Sequence, residues 1–234
     1  RLATPWQVAM SRADFLGTLS IPEGPILDPA CGSGIQMAAF SKVLSRPALG
    51  IELDEDTGEF AAQNIGSVLV SSAEATGNSG IIIGDGREAK IALESAGISE
   101  PIGFLHLDPA RPKNSRTHGL DEMAPQIGEI LSAWKPHMAT GERGPAIMLD
   151  LSPRLTDSLR AEVEEIVDSI WPKIGRTWEW TSRGRGRIDR LSLWLGAASS
   201  SGIERRFVRI PPGSDPTLTI EGDGRKGDIE LSKK

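Results

Sequence analysis

Five short apolar runs, at residues 25–27, 48–53, 80–83, 103–107 and 145–151, punctuate the first 151 residues, each followed by a longer mixed segment. Runs of this length suit strands buried on both faces and are too short for ordinary helices. The intervening segments at 33–44, 56–70, 87–96, 121–134 and 156–170 have the length and composition of helices. In the last, Ala161, Ile166 and Ile170 help form an apolar stripe, and Thr156 and Asp157 stand where an N-cap and an acidic first turn belong. This alternation predicts an α/β chain on a doubly wound parallel sheet, with ligands bound at the carboxyl ends of the strands.

After residue 170 the pattern changes. Residues 177–181 and 188–195 are strand-like and are separated only by Ser182-Arg183-Gly184-Arg185-Gly186-Arg187, which predicts an antiparallel hairpin closing the sheet. The stretch 197–202 (AASSSG) reads as a linker, 203–210 alternates, and 217–220 is a further short strand. The expected organisation is a helical segment at 1–24, an α/β domain at 25–196, and a linker with a β-rich tail at 197–234. That tail is either an extension of the sheet or the start of a second domain.

Composition narrows the chemistry. The chain has 234 residues, 38% hydrophobic and 25% charged, enough to bury a core of its own. The one cysteine, Cys31, excludes a disulfide framework and a multi-cysteine zinc site within the chain. His106, His118 and His137 lack the paired helical spacing of a metalloprotease, so no metal is expected. There is no tyrosine to serve as base or nucleophile. No apolar run approaches the ~20 residues of a membrane helix, and no signal peptide opens the chain, so a cytoplasmic location without membrane contact is expected. A first residue of Arg1 suggests a start inside a longer gene product. The net charge of −6 argues against bulk nucleic-acid binding but leaves room for a local basic patch.

The residues at the strand ends carry the chemistry. The first strand runs into Asp28-Pro29-Ala30-Cys31-Gly32-Ser33-Gly34, where glycines let backbone approach a ligand and turn helix N–H groups toward it. A dinucleotide fingerprint would need glycine where Met37 stands, and a phosphate-binding loop would need a lysine that is absent. Asp28 instead suits a ligand bearing an ammonium or sulfonium charge. The second strand ends in Gly50-Ile51-Glu52-Leu53-Asp54, and an acidic residue at this spacing can accept both hydroxyls of a ribose. Third comes Gly84-Asp85-Gly86, where Asp85 either accepts the amino hydrogens of an adenine or caps the following helix. Fourth is Leu107-Asp108-Pro109-Ala110-Arg111-Pro112.

Taken in order, these four motifs resemble the class I S-adenosylmethionine-dependent methyltransferases over residues 25–195. The resemblance implies a Rossmann-like seven-stranded αβα sandwich with an antiparallel last strand, preceded here by a short N-terminal helix. It implies S-adenosyl-L-methionine as cofactor, held by Asp28, Pro29, Ala30, Cys31, Gly32, Gly34, Glu52, Leu53, Asp85, Gly86 and Asp108. Asp28 and the glycine turn would hold the methionine part, Glu52 the ribose and Asp85 the adenine. The Asp-Pro-Ala-Arg string, Glu179-Trp180-Thr181-Ser182, Leu193-Trp194-Leu195-Gly196, Arg205-Arg206 and Pro211-Pro212-Gly213 resemble prokaryotic methyltransferases with a THUMP-like domain after the catalytic one. That likeness implies RNA modification, although the Arg-Gly-Arg-Gly-Arg turn departs from the more acidic turn usual there.

Asp108 and Arg111 are the candidates for chemistry at the methyl acceptor. Asp-Pro resembles the motif of exocyclic-amine methyltransferases, while Asp-Pro-Ala-Arg also resembles a string in uracil carbon-methylating enzymes, which need a nucleophilic thiolate. Cys31 lies in the cofactor turn, so a base nitrogen is the expected acceptor. Arg183, Arg185 and Arg187 lie in a turn expected at the active-site edge, where guanidinium groups could grip phosphates. A protein or small-molecule methyltransferase, and a non-catalytic module binding cofactor or RNA, are the alternatives. Thr4-Pro5-Trp6-Gln7 either covers the cofactor or packs at an edge, and His106 reads as a satisfied buried histidine.

Overall fold

The computed structural model describes residues 3–69, 79–110, 119–184 and 186–223. Strands β1 (Ile26–Asp28), β2 (Ala48–Glu52), β3 (Gly80–Ile83), β4 (Phe104–Leu107) and β5 (Ala146–Leu151) are parallel. After the hairpin of β6 (Arg176–Ser182) and β7 (Arg190–Gly196), β7 slots antiparallel beside β5. The sheet order is β3-β2-β1-β4-β5-β7-β6-β8-β9, with β8 (Arg205–Arg209) and β9 (Leu218–Gly222) added at one side.

Helices α1 (Trp6–Gly17), α2 (Ile35–Leu44) and α3 (Glu55–Leu69) cover one face; α4 (Ala89–Ala96), α5 (Ile127–Trp134) and α6 (Asp157–Ile170) cover the other. The two cores follow from the period of two along each strand. Leu27, Leu105, Leu107, Ile147 and Leu149 face α4–α6, while Ile26, Phe104, Ala146 and Met148 face α1–α3. Thr156 caps α6, its Oγ1 accepting from the Leu159 amide at 3.3 Å. Helix α5 begins at Ile127, six residues after the expected start, because a 3-10 turn (Leu120–Glu122) occupies the front of that segment.

The tail continues the sheet. Strand β8 pairs in parallel with β6, Glu179 opposite Arg206, and β9 pairs antiparallel with β8, Arg206 opposite Glu221. The stretch 197–202 is not the linker its composition suggested. Ala197, Ala198 and Ser199 are buried, and Thr177 Oγ1 donates to the Ile203 carbonyl at 2.6 Å while accepting from the Ser200 amide at 3.0 Å. Small residues are what this crowded corner requires, and small residues are also what linkers contain.

One row across the α1–α3 face is polar. Asp28, His106, Asp150, Ser192 and Glu179 share the parity of the apolar residues beneath α1 and α2, yet all are buried. Arg12 of α1, 2% exposed, supplies their counter-charge from above.

Candidate functional site

The carboxyl ends of β1, β2, β3 and β4 open onto two adjoining clefts of about 530 and 630 Å3, both bordered by Ala30, Glu52 and Ala110. Each is of a size suited to a small ligand. The first also presents Asp28, Cys31, Gly32, His106 and Asp108; the second presents Pro29, Leu53, Asp85 and Gly86. Every expected cofactor residue except Gly34 therefore borders one of the two. Gly34 stands behind them at the start of α2, with φ 70°, where a Cβ would come within 3.3 Å of the Ala61 carbonyl oxygen.

The turn after β1 is built around acceptors. Asp28 Oδ1 accepts from the Ala30 amide at 3.2 Å, and Gly32, with φ 54°, donates its amide to Glu52 Oε2 at 2.9 Å. Glu52 Oε1 accepts from the Leu53 and Asp54 amides at 3.0 and 3.2 Å. Three backbone donors thus fix the Glu52 carboxylate at the junction of the clefts. Gly86 packs so closely on the same turn that a Cβ there would fall 1.9 Å from the Pro29 carbonyl oxygen. Leu53 is 75% exposed beside the second cleft, an apolar side chain turned away from the core.

Helix α4 begins at Ala89 with Glu88 at its N-cap position, so Asp85 is not the cap of that helix. Its Oδ1 accepts from the Arg87 amide at 2.9 Å, and its Oδ2 pairs with Arg87 Nη2 at 2.6 Å, which lowers its pKa. Arg87 also bonds Glu129 at 3.1 Å. The carboxylate borders the second cleft, but a guanidinium that the sequence did not single out already engages it.

His106 is buried and satisfied as expected, and it also borders the first cleft. Its Nδ1 lies 2.7 Å from Asp28 Oδ2 and its Nε2 3.4 Å from Asp150 Oδ2. Burial disfavours the imidazolium, but the two carboxylates outweigh it and raise the pKa to about 9. Asp150, also desolvated, is held well below the usual carboxylate range by Arg12 and His106. Arg12 donates to Asp150 Oδ2 at 2.9 Å and to Ser192 Oγ at 2.6 Å, and Ser192 donates to Asp150 Oδ1 at 2.7 Å.

Asp108 stands beyond β4 with Arg190 Nη1 at 3.9 Å from its Oδ2. Sequence reasoning missed Arg190, although its place at the foot of β7, next to the arginine turn, was a usable signal. In that turn Arg183 donates its amide to Asp189 Oδ2 at 2.7 Å, and the exposed Arg187 pairs with Asp189 Oδ1 at 2.9 Å. Strand β6 runs parallel to β5, so the turn is on the edge where β1, β2 and β4 end. Arg111 and Arg185 lie outside the described residues. At the first cleft the N-terminal segment contributes Ala3 and Thr4, while Trp6 opens α1 and is 37% exposed.

No family model matches the sequence, and no curated protein matches it in sequence. Solved structures do match in shape. An rRNA methylase from Streptococcus thermophilus superposes with a TM-score of 0.52 at 12% identity, over 84% of this chain and 98% of that one. A SAM-dependent methyltransferase from Agrobacterium tumefaciens gives 0.53 at 13% identity, over 82% of this chain and 62% of that one. The precorrin 8w decarboxylase of Methanobacterium thermoautotrophicum gives 0.54 at 14% identity, over 84% and 92%. Identities this low speak to architecture only. The chain has the Rossmann-like α/β fold of class I S-adenosylmethionine-dependent methyltransferases.

Proposed function

We propose that this protein is an S-adenosylmethionine-dependent methyltransferase whose acceptor is a base nitrogen in RNA. The observation that carries the reading is the Glu52 carboxylate, fixed by three backbone N–H groups where two clefts meet. An ionised carboxylate has room for about four hydrogen bonds. With three taken, one acceptor position and its charge remain, which suits one ribose hydroxyl rather than the two its spacing suggested. The rest of the cleft fits the same ligand. Asp28 supplies negative charge at the end of β1 for an ammonium, and Leu53 offers an apolar surface beside the second cleft for a purine. Gly86 leaves no Cβ between the Pro29 turn and that ring.

When bound, the cofactor supplies a methyl group made electrophilic by a sulfonium. The chain's part is to hold and orient. Asp108 would accept a hydrogen from the acceptor amine, and Arg190 opposite it limits the carboxylate's freedom to turn away. RNA as substrate is supported by the arginine turn on the carboxyl edge and by the rRNA methylase among the similar folds. The THUMP-like resemblance of the tail belongs to the same reading.

The deciding experiment has two arms. Calorimetry with S-adenosylmethionine should show binding, and labelled methyl should transfer to bulk RNA in preference to a protein extract. Label in the protein extract alone would favour a protein substrate. An absence of binding would overturn the enzyme reading altogether. Asp108→Ala should lower turnover by roughly a hundredfold or more with cofactor affinity nearly unchanged.

A further inference from the structure

The buried row beneath α1 leaves an unusual charge balance at the methionine end of the cleft. We infer that His106 is a proton-exchanging positioning residue: its imidazolium holds Asp28 in the cofactor-free protein, and binding of a cationic methyl donor beside Asp28 sends that proton to solvent. This rests on the donor reading above and extends it to a residue outside the cofactor turn.

The geometry supplies the grounds. Asp28 has two anchors, the Ala30 amide on Oδ1 and His106 Nδ1 on Oδ2. On its other side the ring faces Asp150 of β5, at 3.4 Å from Nε2. Both ring nitrogens thus face carboxylate oxygens, an arrangement fully satisfied only when both carry hydrogen. Arg12 of α1 is bonded to Asp150, Arg190 of β7 acts on Asp150 from the cleft edge, and Glu52, Asp56 and Asp108 border the cleft that His106 shares. Within the buried set, Arg12 and His106 balance Asp28 and Asp150, while Glu179 is served by Arg206 at 3.5 Å. The raised pKa of the ring agrees with this count.

A ligand with an ammonium and a sulfonium against one carboxylate brings one net positive charge beside a buried set that is already neutral. Asp28 cannot serve two cations at full strength in a low-dielectric pocket. His106 is the only cation of the set that can discharge, because a guanidinium keeps its proton. After the proton leaves for the buffer, the neutral ring keeps one N–H for one carboxylate. Asp28 stays where His106 placed it, with the donor's charge replacing the one lost.

Calorimetry of S-adenosylmethionine binding at pH 6.8, in buffers of differing ionisation enthalpy, tests this directly. At that pH the donor's own α-amino group is already charged. The expected result is release of roughly half to one proton per cofactor, with Kd falling severalfold per unit rise in pH. S-adenosylhomocysteine, which lacks the sulfonium charge, should release less. His106→Asn keeps a donor for Asp28 and cannot titrate, so it should still bind with no proton release. If that variant does not fold, the ring resonances of wild-type His106, followed by NMR with and without cofactor, give the same answer. Binding that is independent of buffer, or a ring that stays charged when cofactor is bound, overturns the inference while leaving the donor reading intact. No binding of the cofactor at all removes both.

Discussion

Replacing Arg12 by methionine tests whether the buried row holds α1 on the sheet. Methionine fills much of the arginine stem but carries no donors. Asp150 would lose a charged hydrogen bond of 2.9 Å, Ser192 one of 2.6 Å, and Gln36 one of 3.4 Å, while Glu179 would lose the guanidinium 3.9 Å away. Breaking one side of a buried ion pair costs about 3–5 kcal/mol, because the partner charge stays buried. His106 remains beside Asp150 and Arg206 beside Glu179, so the lower end of that range applies. In a chain of this size each kcal/mol is worth about 2–4 °C in Tm, so the midpoint should fall by roughly 6–12 °C. The deficit should widen above pH 9, where His106, the cation still within hydrogen-bond reach of Asp150, discharges. Thermal unfolding followed by circular dichroism at pH 7 and pH 9.5 provides the measurement. A fall of under about 2 °C at both pH values would show that the row is not held by charge and would refute the reasoning.

Three further outcomes follow from the same geometry. Glu52→Gln removes an acceptor from the meeting point of three amides, so S-adenosylmethionine affinity measured by calorimetry should fall roughly ten- to hundredfold, charged hydrogen bonds being worth about 1.5–3 kcal/mol each; unchanged affinity would sink the ribose assignment. The His106 pKa is raised from 6.5 to about 9, so its contribution to stability is complete below pH 6.5 and lost as pH rises through 9. Urea midpoints should therefore decline over that window in the wild type and decline less in His106→Asn. Changing Arg183, Arg185 and Arg187 to serine should flatten the log–log salt dependence of RNA binding by about 0.7–0.9 per lost phosphate contact; an unchanged slope would take these arginines out of the RNA reading.

The strand ends were readable because each is a local pattern, an apolar run stopped by Asp28, Glu52, Asp85 or Asp108. The buried row was harder to see, since its members belong to α1, β1, β4, β5, β6 and β7 and meet only when the sheet forms. His106 and Asp150 look like isolated polar residues in apolar runs. Only the register, with Leu105 opposite Ile147 and His106 opposite Met148, puts them on one face. Arg12 gives still less away in sequence, because its partner Asp150 is 138 positions distant. The misread stretch at 197–202 has the opposite cause. Its composition is that of a linker, and its burial depends on a hairpin and a strand that lie on either side of it.

The long reach of Arg12 also bears on how the chain assembles. Its two strongest partners are 138 and 180 residues away, on strands that come together only when the β6–β7 hairpin has inserted beside β5. Contacts across such separations close slowly, because the loop entropy must be met before they stabilise anything. Helix α1 is therefore made well before it can find its place, and until Ser192 has been made it has nothing complete to dock on. During that interval the carboxylates of the row can stay hydrated. When α1 docks, it removes water from the whole row in one late step.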